Sequence, residues 1–522
     1  MKKGNIFLAG LIIVVTLAVV SAVAIDYPPA RRGEVVDDYY GTKVADPYRW
    51  MEDPESEETI NWVNAQNKVT ADFVNTPIRE KIKERYTKLY NYPKYSLPYK
   101  EGDFYLFAKN DGLQAQYVLY KQDKLGGEAE VILDPNKLSD DGTISLSRYS
   151  FTEDGSLMGY GLSEKGSDWQ TIHIRNIETG EDLPDIIRWT RFVAPSWKHD
   201  NSGFYYDCYP DPSTVPAGEE TFYNKIYWHT LGTDQSEDKL IYERPDDNSL
   251  GFGTHVTEDG EYLIIFVWRG TNPENGIYYL KIDGDDKVIR LLDDFDAGYS
   301  FIDNDGTKFY FKTDLDAENG RIIAIDITNP SRENWEEIIP ESKDVLTSAS
   351  IINNQFVLVY LQNAHDLLKI YNMDGSFDRE IELPTIGTIY GISGKRDDTE
   401  MFFSFASFIY PKISFRYDFK TGETSLYRKS EVDFDPSGYE TKQVFFNSKD
   451  GTRIPLFITH KKDLVLDGTN PTILYGYGGF QANQTPYFSL SKAMWIENGG
   501  VFVLAVTRGG IEYGEQWHKA SM

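Results

Sequence analysis

The spacing of apolar and polar positions changes several times along the chain. Lys2 and Lys3 stand before an apolar run from Ile6 to Ile25 whose end carries Ala22-Val23-Ala24. A basic start, a hydrophobic middle and small residues at a cut after Ala24 form the order of an export signal. The run is also long enough to stay as an N-terminal membrane anchor, so residues 1–25 are read as signal peptide or anchor. Beyond it, Trp62, Val63, Phe73 and Val74 make an interrupted apolar stripe, with Asn64, Gln66, Asn67 and Lys68 on the other face. That pattern predicts a helical part over residues 26–85, capped by Asp53 or Ser56 with acids following in the first turn.

From Tyr90 to about Tyr427 the pattern shortens to alternating, aromatic-rich stretches such as Tyr105-Leu106-Phe107-Ala108 and Gln116-Tyr117-Val118-Leu119-Tyr120. Turn signals punctuate them at Thr152-Glu153-Asp154-Gly155, His199-Asp200, Thr257-Glu258-Asp259-Gly260 and Asn304-Asp305-Gly306. A period near two with turns between predicts hairpins, and the marks return roughly every 45 to 60 residues, the spacing of one multi-stranded blade. The expectation is a mainly β fold with a seven-bladed β-propeller over residues 86–430; two stacked sandwiches are the alternative. Residues 431–522 read differently. A hairpin around Asn447-Ser448-Lys449-Asp450-Gly451-Thr452 is followed by two continuous apolar strands, Pro471–Tyr475 and Val501–Val506, each ending in a glycine-rich loop. This is the expected beginning of an α/β sheet whose sites lie beyond the strand ends.

Composition narrows the function classes. The formal charge is -29, which argues against nucleic acid, since phosphate binding needs a concentrated positive surface. Cys208 is the single cysteine, so no intrachain disulfide or thiolate metal cluster can be drawn, and a packed thiol is expected. The seven histidines include no His-Glu-x-x-His motif; His229, His255 and His460 are expected to be dispersed, and neither a metal nor another cofactor is expected.

Candidate chemistry concentrates in Tyr475-Gly476-Tyr477-Gly478-Gly479-Phe480. Its glycines can let backbone donors or the Tyr477 phenol point into a cleft, or the segment can be an aromatic-glycine turn that packs a sheet edge. Arg508, before Gly509 and Gly510, can orient a carboxylate or form a structural pair with Glu512 or Glu515. His518 is expected to be packed or at the surface. No Gly-x-Ser-x-Gly elbow occurs in the 522 residues.

Joined to Arg508-Gly509-Gly510-Ile511-Glu512-Tyr513-Gly514, to Val36-Asp37-Asp38-Tyr39-Tyr40-Gly41 through Asp46-Pro47-Tyr48-Arg49-Trp50, and to His229-Thr230-Leu231-Gly232-Thr233, the segment resembles the prolyl oligopeptidase family of serine peptidases, the S9A group. The resemblance runs from about Tyr27 to the last residue. It implies a propeller over an α/β-hydrolase domain assembled from both chain ends, so that residues 26–85 accompany residues 431–522. It further implies cleavage of short proline-containing peptides by Ser, Asp and His, Tyr477 in an oxyanion hole, and Phe480 in a proline pocket. Phe192 resembles a propeller residue facing that pocket, and Asp168 an acidic residue of the same cleft; blade packing and a turn cap are their respective alternatives. The expectation is an exported, periplasmic or extracellular protein, monomeric if complete, whose hydrolase portion is truncated before the triad. A peptide-binding or protein-interaction propeller without catalysis is the other reading.

Overall fold

The computed structural model describes residues 25–522, so nearly all of the segment read as signal or anchor lies outside the described residues. Two compact units divide the chain, the first ending at Arg85 and the second spanning Tyr86–Met522. In the first, strands Val36–Tyr39 and Thr42–Ala45 pair antiparallel around Tyr40 and Gly41, whose φ angles of 52° and 90° are those of a tight hairpin turn. The Asp38 carboxylate accepts from the Gly41 amide at 2.6 Å and fixes that turn. Helix α1 (Glu57–Val74) starts at Ser56, whose hydroxyl accepts from the Thr59 amide, with Glu57 and Glu58 in the first turn. Of the two expected caps, Ser56 is the one used. Helix α2 (Pro77–Tyr90) follows, with proline at its first position, where the missing N–H costs nothing.

In the second unit, residues 94–429 form antiparallel sheets, each from one continuous stretch of chain. The first has five strands within residues 94–133; six four-stranded sheets follow over residues 144–191, 196–242, 250–292, 299–339, 345–381 and 388–429. Alternation along each strand sends side chains toward both neighbouring sheets, and the core is divided accordingly. Tyr205 and Ile226 meet Leu250, Phe252 and Leu263 between two sheets. Tyr262 and Ile264 meet Phe309 and Phe311 between the next two, and Val357 and Leu368 meet Met401 and Phe403 further on. The ring closes on itself: the Tyr105 hydroxyl donates to Glu400 at 2.8 Å, Ser393 to the Pro98 carbonyl at 2.7 Å, and Lys395 to Glu101 at 2.7 Å. Stacked sandwiches do not share a core between each successive pair of sheets and then close first to last, and these sheets are propeller blades.

One polar cluster is buried inside this ring. His229 presents Nδ1 to Asp238 at 2.7 Å and Nε2 to Asp185 at 3.0 Å, all three side chains being almost wholly inaccessible. The two carboxylates raise the imidazole pKa against the opposing effect of burial. Asp238 also accepts from Tyr206, and Asp185 from the Gly232 amide. Cys208 is buried with its thiol pushed up to about 12, the packed thiol expected of it.

The remaining sheet is mixed. Tyr439–Asn447 pairs antiparallel with Arg453–Lys461, which pairs antiparallel with Val501–Ala505, which pairs parallel with Thr472–Gly476. Helix α3 (Leu490–Glu497) buries Leu490, Ala493 and Ile496 against Phe457, Phe502 and Leu504. The continuous apolar run at 471–475 suggests a buried strand, yet Thr472–Gly476 is the edge of the sheet and all five residues are exposed, Leu474 at 68%. Among the described strands only Val501–Ala505 pairs with it, which leaves its other edge open and its apolar side chains uncovered.

Candidate peptide-binding cleft

Two glycine-rich loops interlock at the ends of the parallel strands. A Cβ on Gly509, whose φ is +116°, would lie 1.6 Å from the Gly478 carbonyl oxygen, and one on Gly478 would lie 2.0 Å from that of Arg508. Only glycine permits this approach. Gln481 N donates to Gly509 O at 3.1 Å, the Thr507 hydroxyl to Tyr477 O at 3.0 Å, and Ile511 N to Asn483 Oδ1 at 2.9 Å. The Glu512 carboxylate is buried beneath, accepting from Gln484 N at 2.6 Å, and burial raises its pKa to about 7.

On this base Phe480 and Gln481 both take left-handed backbone conformations, with φ of 53° and 56°. Such a conformation is costly for an aromatic residue, and here it leaves Phe480 83% exposed. Tyr477 is 41% exposed, its ring against Gly479. Both aromatics are thus presented outward rather than used to pack the sheet edge.

Arg508 does not pair with Glu512 or Glu515, as a reading of neighbours in sequence suggests. Its guanidinium pairs with Asp450 in the turn between the first two strands of the mixed sheet, and that contact, with the Thr452 amide and hydroxyl, lowers the Asp450 pKa. The hairpin brings a carboxylate from 58 residues away, which local spacing cannot show. Glu515 instead accepts from Gln481 at 2.9 Å. His518 is packed, its Nδ1 donating to Gly509 O at 2.8 Å.

Phe192 and Asp168 form a second cluster, on the sheet over residues 144–191. Phe192 has φ 57° and is 56% exposed. Asp168 pairs with Arg191 at 2.6 Å, and that guanidinium lies over the Phe192 and Trp169 rings. Arg191, which sequence reasoning missed, links the two residues; its place beside Phe192 was the available signal. Trp169 also meets Trp189 and Tyr209 edge-on, giving an aromatic platform.

The mixed sheet meets the propeller through Tyr513, whose hydroxyl donates to Asn363 Oδ1 at 3.1 Å, and through Glu515 N, which donates to Glu318 O at 3.1 Å. Between them lies a cavity of about 570 Å³ lined by Gln481, Ile511 and Glu515 on one side and by Tyr299, Lys312 and Asp314 among others on the propeller side. His229, His255 and His460 stand on three different sheets, and among the described residues no group of three His, Cys, Asp or Glu side chains is placed to hold a metal. No described Ser, His and Asp come together as a catalytic triad; His229 has carboxylates on both ring nitrogens, and His460 Nε2 meets Glu440 at 3.7 Å.

A ring of antiparallel sheets carrying, on its own chain, a mixed sheet with exposed aromatics over interlocked loops defines a propeller protein with a second, mixed-sheet module. Comparison with known proteins gives the family. The profile described as "Prolyl oligopeptidase, N-terminal beta-propeller domain" matches residues 27–430. A prolyl endopeptidase of Elizabethkingia meningoseptica is 40% identical over 497 residues, covering 95% of this chain and 70% of the relative. Prolyl oligopeptidase A of Galerina marginata is 34% identical over 538 residues, covering 95% and 72%. Among solved structures, one from a study of two prolyl endopeptidases superposes with a TM-score of 0.89 at 33% identity, covering 95% of this chain and 73% of that one. Prolyl oligopeptidase B of Galerina marginata, bound to a 35mer hydrolysis and macrocyclization substrate, gives 0.88 at 30% identity, covering 95% and 74%. The chain belongs to the prolyl oligopeptidase family of serine peptidases.

Proposed function

We propose that these 522 residues bind short proline-containing peptides without cleaving them. The observation that carries the reading is the outward presentation of Phe480 and Tyr477 over a glycine-locked base, with no described Ser, His and Asp brought together beside them. Phe480 offers a rigid aromatic face to the compact proline ring, and Phe192 with Arg191 offers a second contact from the propeller. Asp168 then acts through Arg191, holding its guanidinium in place, and Arg508 holds the loop through Asp450 rather than touching ligand. In this reading the ring is a seven-bladed propeller over residues 86–430. Residues 431–522 are the first part of an α/β-hydrolase domain to which residues 26–85 belong. The protein is exported, and monomeric if complete, with the first 25 residues removed or kept as an anchor.

Relatives described as prolyl endopeptidases support a second reading, hydrolysis after proline through a seryl intermediate, with the Tyr477 phenol stabilising the oxyanion. It requires a Ser, an Asp and a His in catalytic contact, supplied by further residues. Titration calorimetry of the 522-residue protein with a proline-containing octapeptide, followed by mass spectrometry of the peptide, separates the two. Saturable binding with intact peptide supports the binding reading; cleavage supports the second, and absence of binding at saturating peptide removes the first.

A further inference from the structure

In a chain of formal charge -29, one pocket is lined by cations and by no acid. It lies where the first and last propeller sheets meet, has a volume of about 130 Å³, and is bounded by Lys94, Lys412, Arg428 and Lys429 with Tyr92, Tyr95, Tyr117, Ser414 and Ser430. Register explains the convergence. Ser414 and Arg428 are directly opposed on neighbouring strands, as are Ile413 and Lys429, so one end of this strand pair, with Lys412 just before it, delivers three of the four cations and a buried hydroxyl. Lys94 comes from the opening strand of the first sheet.

The cations are held without carboxylate partners. The Arg428 guanidinium stacks on Tyr95, 3.8 Å from the ring centre, and reaches Phe107 and Tyr427; its Nη1 is buried with no hydrogen-bond acceptor. Lys94 Nζ donates to the carbonyls of Tyr90 and Gly112 at 2.8 and 2.9 Å, and burial lowers its pKa. Among the described residues no ion pair engages Lys94, Lys412 or Arg428. Lys429 acts electrostatically on Asp435, and neither Asp435 nor the Lys88–Asp433 pair at 2.9 Å lines the pocket. Four like charges around one small cavity repel one another, and an orphaned buried guanidinium N–H carries a desolvation cost; both are relieved by one ligand, an oxyanion.

We propose that this seam pocket binds a phosphate group, with Arg428 Nη1 and the Lys412 ammonium as its principal donors and the Ser414 hydroxyl and Lys94 beside them. The volume accommodates a single tetrahedral oxyanion. The site is independent of the peptide cleft. Occupied, it ties the segment entering the propeller to the one leaving it.

The test titrates the full 522-residue protein with inorganic phosphate and separately with glycerol 3-phosphate, in chloride buffers of matched ionic strength. Saturable phosphate binding that weakens at least roughly tenfold in Lys412→Gln and in Arg428→Met is expected. Lys412→Gln guards against Arg428→Met acting through lost stacking on Tyr95. Equal binding of the two ligands assigns the site to phosphate esters as well as the free ion, and preference for inorganic phosphate assigns it to the ion alone. Absence of binding above the chloride control, or binding that both variants retain, overturns the proposal.

Discussion

Replacing His229 with alanine tests how the propeller tolerates buried charge. Both ring nitrogens face carboxylates, and an ionised carboxylate can only accept, so with both acids ionised the ring donates twice, as an imidazolium, in line with its raised pKa. Alanine leaves Asp185 and Asp238 buried without their cation. The Gly232 amide and Tyr206 hydroxyl still donate to them, but each is a single neutral bond. Breaking a buried pair by removing one partner costs about 3–5 kcal/mol, and that is the expected loss. Its pH dependence has a definite sign. The folded pKa of His229 is raised above the unfolded value near 6.5, so this contribution is fully present below about pH 6.5 and is lost as pH rises through the higher folded value. Thermal unfolding and amide exchange over residues 185–238, compared for wild type and His229→Ala between pH 6 and pH 10, read both effects. A gap below about 1 kcal/mol, or one that widens toward alkaline pH, would refute the reasoning. Combining His229→Ala with Asp185→Asn and Asp238→Asn should recover part of the loss, because neutral amides do not require a cation.

Other perturbations have equally definite outcomes. Gly509→Ala should disrupt the interlocked loops, with strain of roughly 1–3 kcal/mol from its backbone angle alone before the clash with Gly478, measured as faster exchange over residues 476–483. Phe480→Ala should weaken proline-peptide binding about tenfold with little change in thermal stability, because the ring is exposed in the free protein. Tyr477→Phe should leave that binding within about twofold, since an oxyanion donor acts on a transition state; a larger loss by calorimetry would make the phenol a ground-state contact. Leu474→Lys on the exposed edge strand should reduce self-association in light scattering at unchanged stability.

The propeller was legible because period-two alternation and Asp-Gly turns are local signals repeated many times, and the four-stranded antiparallel sheets follow chain order as such hairpins require. The Ser56 cap and the hairpin at Asn447–Arg453 were legible for the same reason. What escaped was non-local. The Arg508 partner arrives from a hairpin 58 residues earlier in the chain, and the two carboxylates on His229 lie at unequal distances along the sequence, 44 and 9 residues away. The edge position of Thr472–Gly476 escaped as well, since an apolar run specifies a strand but not how many neighbours it has. In the cleft, glycine spacing identified the loops, whereas their mutual closeness at Gly478 and Gly509 emerged only in three dimensions.

The central claim is that Phe480 and Phe192 line one cleft that holds a proline-containing peptide intact. Hydrogen exchange of the 522-residue protein with and without saturating octapeptide, with the peptide recovered and weighed, tests it directly. Protection confined to residues 476–483 and 189–193, with the peptide recovered whole, is the expected result. Protection elsewhere, no protection at saturation, or recovery of cleaved peptide would contradict it.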